Sequence, residues 1–179
     1  MTIRRLLALL LLLALSACST LGVGDRVSFT AAQLQHYLDG RFPRDYDKLG
    51  GLVTLTVLHP RLSIPAGSDR LRLDFDVGVG TMGHPTQAPS GHLAIASGLR
   101  FDPQTRGLHL DQPTLESAEM PALGALGGTG RDLVNRWLAD YARNEPVYRF
   151  DQNLWERLEA RRIAATRIED GQVVIHLDH

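Results

Sequence analysis

The strongest pattern in the chain is the alternation of Leu71, Leu73, Phe75, Val77 and Val79 with Arg72, Asp74, Asp76 and Gly78. Strict period two over this length predicts a strand with one buried and one wet face, as in an antiparallel sheet. A second stripe, Leu93, Ile95, Ser97, Leu99 and Phe101, is opposed by the small residues Ala94, Ala96 and Gly98 and predicts another strand. Val53, Leu55 and Val57, set against Thr54 and Thr56, predict a third, with Pro60 and Pro65 limiting it to an edge or bulged position. Residues 108–119 resume a strand in which Pro113 marks a bulge or edge. The breaks fall at Gly67-Ser68-Asp69, at residues 81–90 with Gly83, Pro85 and Pro89, and at residues 102–107.

Helical spacing flanks this strand-rich middle. Thr30-Ala31-Ala32-Gln33 fits a capping box, and Leu34, Tyr37 and Leu38 then share one face until Gly40 and Phe42-Pro43 stop the helix. Residues 44–51 are charged and end in glycine, and are expected to form a loop. A longer helical pattern begins near Met120 with Leu123 and Leu126 and continues through Leu133, Val134, Trp137, Leu138 and Tyr141 to Asn144-Glu145-Pro146. Gly127, Gly128 and Gly130 are expected to weaken or break it, each glycine costing about 1 kcal/mol relative to alanine. Residues 147–150 predict a short strand, and Leu154, Trp155 and Leu158 a last helix. A hairpin turning at Asp170-Gly171 closes the chain. The fold expected from these periods is α+β.

The first eighteen residues change the picture from a domain to a domain with an address. Arg4 and Arg5 precede an apolar run over residues 6–15, and Ser16 and Ala17 lead to Cys18, the sole cysteine. The run is well short of the roughly 20 residues that cross a bilayer, so residues 1–17 read as a secretory signal. A cysteine directly after the cleavage position resembles the lipobox of bacterial lipoproteins. That resemblance implies that Cys18 receives a diacylglycerol and that its freed amino group is acylated by palmitate-like chains. Residues 18–26 then form the lipidated end and a short tether, and residues 27–179 a single domain. The tether spans under about 30 Å, which keeps the domain close to its membrane. Ser19, in place of aspartate, resembles the sorting signal for the outer membrane of a Gram-negative envelope.

Composition excludes several functions. Hydrophobic residues make up 44% of the chain, enough for a core. Loss of Arg4 and Arg5 with the signal leaves 17 of 19 basic residues against 20 acidic ones, a net charge near −3. No basic footprint for nucleic acid or anionic headgroups remains, so the membrane is held through the acyl chains alone. With one cysteine there is no disulfide, thiolate metal site or cysteine nucleophile in the mature domain.

Candidate chemistry is sparse. His36, His59, His84, His92, His109, His176 and His179 show no metal-ligand spacing, so no metal or cofactor is expected. Ser90-Gly91-His92 lacks the nucleophile elbow of hydrolases, and Gly127-Gly128-Thr129-Gly130-Arg131 lacks the lysine of a phosphate loop. Asp74 and Asp76 read as the wet side of a strand. The chain is not expected to be an enzyme; ester turnover lost on Ser90→Ala would revive that reading. The apolar pattern itself allows either a closed core or an apolar cleft, because both require the same residues.

The order of elements resembles one family. The lipobox, the helix Phe29-Thr30-Ala31-Ala32-Gln33-Leu34-Gln35-His36-Tyr37-Leu38, the strands, the late helix ending in Asn144-Glu145-Pro146-Val147-Tyr148 and the closing Gly171-Gln172-Val173-Val174-Ile175 strand are similar to the YceB-like lipoproteins of Gram-negative bacteria. The resemblance implies a curved antiparallel β-sheet wrapped around a long helix in the C-terminal half, with a short N-terminal helix, as in the TULIP lipid-binding domains. It further implies a lipid or other apolar ligand facing Leu71, Leu73, Phe75, Val77, Val79, Leu93, Ile95, Leu99, Trp137 and Tyr141. The alternative is a solid-core lipoprotein that docks another envelope protein, whose identity the sequence does not reveal.

Overall fold

A computed structural model describes residues 25–48, 53–81, 84–121, 128–159 and 161–178. The signal, Cys18 and most of the tether lie outside the described residues, as do Leu123 and Leu126. The elements run β1 (Arg26–Thr30), α1 (Ala31–Asp39), β2 (Arg44–Lys48), β3 (Val53–Ser63), β4 (Leu71–Thr81), β5 (Gly91–Asp102), β6 (Gly107–Glu119), α2 (Gly128–Asn144), β7 (Tyr148–Arg149), α3 (Gln152–Glu159), β8 (Arg162–Glu169) and β9 (Gln172–Asp178). Strands β2-β3-β4-β5-β6-β7 form one sheet and β1-β9-β8 a second, with every described pairing antiparallel. The chain is therefore α+β, dominated by antiparallel sheet.

One expectation needs correction. Residues 44–48 are a strand and not a loop: Arg44 pairs with Val57 and Lys48 with Val53. Its sequence, Arg-Asp-Tyr-Asp-Lys, alternates but has no apolar stripe, because an edge strand needs only one inward anchor, Tyr46. The late helix is described over Gly128–Asn144, and residues 122–127, through which it was expected to reach back toward Met120, lie outside the described residues.

The capping box is present. Thr30 accepts from the Gln33 backbone N–H, and the Gln33 side chain accepts from that of Thr30 at 2.8 Å. From the buried side of α1, Leu34 and Leu38 enter the core. Its Gln35 bridges the irregularity of β3, where the register shifts between Leu58 and Arg61. The amide donates to the Pro60 carbonyl at 2.7 Å and accepts from the Leu62 N–H at 2.6 Å. Both backbone groups would otherwise lack a partner at the bulge, which is why α1 sits on β3. The β8–β9 turn has positive φ at Asp170 and Gly171, matching the two-residue hairpin expected there.

The inner face of the large sheet carries Leu55, Val57, Leu71, Leu73, Phe75, Val77, Leu93, Ile95, Leu108 and Leu110, all buried in one cluster with α1 and α2. An aromatic stack joins this cluster to the small sheet: Phe29 of β1 lies 5.9 Å from Phe150, which lies 5.5 Å from Phe101 of β5. Across the outer face of β4, the segment after residue 83 folds back over Gly78 and Gly80. A Cβ on Gly78 would meet the Thr86 carbonyl oxygen, and one on Gly80 the His84 carbonyl oxygen. Gly78→Val is expected to lower the unfolding free energy by about 1–3 kcal/mol through overpacking. Urea denaturation checks this; an unchanged midpoint would show that the segment does not pack there.

Candidate functional site

Helix α2 lies on the inner sheet face and is fastened differently along its two sides. Trp137, Tyr141 and Glu145 recur at i, i+4 and i+8, so they project along one side, and the Glu145 N–H continues the helical ladder to the Tyr141 carbonyl at 2.8 Å. The matching row on β2 is Tyr46 and Arg44. Four helical residues advance about 6 Å and two strand residues about 7 Å, so the rows stay in step. Tyr46 sits edge-on to Trp137 at 5.6 Å and to Tyr141 at 6.5 Å, and Arg44 bonds Glu145 at 2.8 Å. Phe75 of β4 closes on Trp137 from the sheet floor at 6.3 Å.

This seam between β2 and α2 grades from charged to apolar. At its rim Arg44 and Arg41 reach the same oxygen, Glu145 Oε2, at 2.8 and 3.4 Å. The Arg44 guanidinium lies over the Tyr46 ring at 5.6 Å, and that of Arg41 over Tyr37 at 5.5 Å. Hydrogen bonding to Glu145 raises the Arg44 pKa further above its ordinary value. Below the rim, Tyr46 Oη and Trp137 Nε1 are buried and have no hydrogen-bond partner among the described residues. Burial pushes the Tyr46 phenol up to about 12, against the opposing charge of Arg44, and burial raises Tyr141 as well. A buried polar group left unpaired costs about 1–3 kcal/mol, so two in one apolar seam require an explanation.

The opposite side of α2 is stitched down. His109 of β6 is fully buried, with Nδ1 3.2 Å from the Ala142 carbonyl and Nε2 2.7 Å from Thr105 Oγ1. A carbonyl only accepts, so Nδ1 carries the proton and Nε2 accepts from the hydroxyl. Burial lowers the His109 pKa and the charge of Arg100 adds to the lowering, and together they outweigh the Ala142 bond, which opposes it. Arg100 donates to the same Ala142 carbonyl at 3.3 Å, and the Val147 N–H donates to Leu108 of β6 at 2.8 Å. On the β2 side, the Arg44–Glu145 hydrogen bond joins the strand to the residue that ends the helical ladder.

The expected apolar residues are brought together. Leu71, Leu73, Val77, Leu93 and Ile95 are fully buried, Phe75, Leu99, Trp137 and Tyr141 nearly so, and Val79 half-buried against the same cluster. With α2 in place they contact one another. The polar candidates are arranged otherwise. Asp74 and Asp76 sit in a charged ladder on the outer face, where His92 lies 3.3 Å from Asp74 and 3.5 Å from Asp76. Arg72 reaches Asp74 at 3.1 Å and Glu116 at 2.8 Å, and His59 reaches Asp76 at 3.0 Å. Burial raises both carboxyl pKa values, but these partners outweigh it and hold both below the ordinary range. Ser90 Oγ donates to the Val77 carbonyl at 3.4 Å while His92 turns to the aspartates, so Ser90 and His92 do not pair. Among the described residues no three His, Cys, Asp or Glu side chains are placed to hold a metal ion.

Tyr46, Arg41, Arg44 and Glu145 were not among the candidates read from the sequence. The signal for them was the alternation Arg44-Asp45-Tyr46-Asp47-Lys48, which places Arg44 and Tyr46 on one face once the segment is taken as a strand. Tyr46→Phe removes the unpartnered oxygen and is expected to raise stability at neutral pH by about 1 kcal/mol. An unfolded phenol ionises near 10 and the folded one near 12, so this group leaves the parent's stability unchanged below pH 10 and lowers it as pH rises from 10 toward 12. Between those values the variant should lose less stability than the parent in thermal melts; equal losses would place Tyr46 in water. No family model matches the chain and no curated protein matches it, so what the seam does is argued from its own chemistry.

Proposed function

We propose that this chain is a membrane-anchored lipoprotein of the periplasm, held through acyl chains on Cys18 and sorted to the outer membrane. Its domain accommodates a lipid or another apolar ligand between the large sheet and α2, in the manner of the YceB-like and TULIP domains it resembles. In that reading the sheet curves around the helix, and the helix continues toward Met120. The observation that carries the proposal is the pair of buried, unpartnered donors, Tyr46 Oη and Trp137 Nε1, in an otherwise apolar seam. A ligand with one polar group and an apolar body satisfies both donors and replaces the contacts of the stripe. Because the stripe is closed by α2 itself, admission of such a ligand requires α2 to lift from β2. The rim ion pairs oppose this only weakly, since their side chains are 22–38% exposed and such pairs are worth about 0–1 kcal/mol.

The close packing of the stripe also favours a second reading, a solid-core lipoprotein that docks another envelope protein. Native mass spectrometry of the full chain bearing Cys18→Ser, with solvent extraction of what copurifies, separates the two. The expected result is a stoichiometric adduct of lipid mass that is lost in Val77→Trp, a variant checked for folding by circular dichroism. No adduct, and no uptake after incubation with phospholipid and fatty acid, would favour the docking protein.

A further inference from the structure

The rim of the seam carries more cation than anion. Two guanidinium groups, Arg41 and Arg44, converge on one carboxylate oxygen, Glu145 Oε2, and no other described acid lies within ion-pair distance of either. One positive charge is thus left over at the mouth of an apolar interior. The arginines are held in place independently of Glu145: Arg41 Nη1 donates to Tyr37 Oη at 2.8 Å, and both guanidinium planes lie over tyrosine rings. A guanidinium presents five donors in a rigid fork, of which a single shared carboxylate oxygen uses few. The order from solvent inward is therefore two positioned cations, a tyrosine hydroxyl and an indole N–H without partners, then the leucine, valine and phenylalanine stripe.

We infer that Arg41 and Arg44 form the head-group site for a lipid with an anionic head, a carboxylate or a phosphate, and that Glu145 is the internal anion which that head displaces. This rests on the lipid reading of the seam and narrows it to a ligand class. Glu145 follows α2 directly, so exchanging its bond to Arg44 for a bond to the ligand removes a hydrogen bond between β2 and the helix end. Recognition of the head and release of the helix are then the same event. Charge-assisted hydrogen bonds are roughly twice as strong as neutral ones, which sets the scale of discrimination.

Oleate and oleamide have the same chain and differ in head charge, so their binding to the full chain bearing Cys18→Ser tests the inference. Oleate should bind at least about tenfold more tightly than oleamide, a step that charge-assisted contacts supply. Arg41→Gln with Arg44→Gln should bring the two within about twofold without loss of oleamide binding. Glu145→Gln, which keeps a hydrogen-bonding side chain but removes the competing charge, should tighten oleate alone. Inorganic phosphate is the third probe: failure to displace oleate identifies a lipid head as the anion. Phosphate bound in an arginine-dependent manner without oleate uptake would overturn the lipid-head assignment in favour of a free-anion site. Equal binding of oleate and oleamide by the parent overturns the head-group site and leaves the lipid reading intact. Uptake of neither lipid overturns both.

Discussion

The burial of Trp137 between Tyr46 of the edge strand and Phe75 of the sheet floor is the contact on which the rest depends. Helix α2 carries glycines at positions 128 and 130, and helical stability in proteins comes mostly from packing of an apolar face. It therefore exists because its apolar face, Leu133, Val134, Trp137, Leu138 and Tyr141, is covered by the sheet. The sheet depends on the helix in return, since its inner stripe has no other partner of comparable length. Any ligand that enters must replace this mutual burial and not merely fill a void.

The asymmetry of the fastening decides which way the pair separates. Toward β6, α2 is tied by a buried neutral histidine, an arginine on the same carbonyl and a backbone bond from the segment that follows. Toward β2 it is held by ring contacts and partly exposed ion pairs around Glu145. Strand β2 is also a short edge strand of five residues, paired on one side only. The outer face, in contrast, carries the ladder around Asp74 and Asp76 and the segment packed over Gly78 and Gly80.

Much of this fold was legible in the residues because period and turn chemistry act locally. The stripe of β4, the capping box at Thr30, the bulges marked by Pro60 and Pro113, and the Asp170-Gly171 turn are each set by neighbours a few positions away. Strand β2 escaped notice because its stripe is a single tyrosine between charges. The seam escaped for another reason: Arg44 and Glu145 are a hundred residues apart in sequence, and their meeting depends on α2 crossing the sheet to its edge. The apolar candidates were identified as a set, yet sequence patterning makes no distinction between residues that touch a helix and residues that touch a ligand. Likewise, His109 read as one of several scattered histidines, and its place beneath the end of α2 follows only from tertiary packing.

In the lipid-binding reading proposed above, α2 parts from β2 while staying attached to β6. Since Cys18 is the single cysteine, spin labels on Asp45→Cys and Asn144→Cys in a Cys18→Ser chain report the seam. Labels on Gln104→Cys and Asn144→Cys report the β6 side, and all three positions are exposed. Double electron–electron resonance with and without oleate should show the first distance lengthen and the second stay fixed. An unchanged first distance with oleate bound, or a second distance that lengthens in its place, would contradict the account.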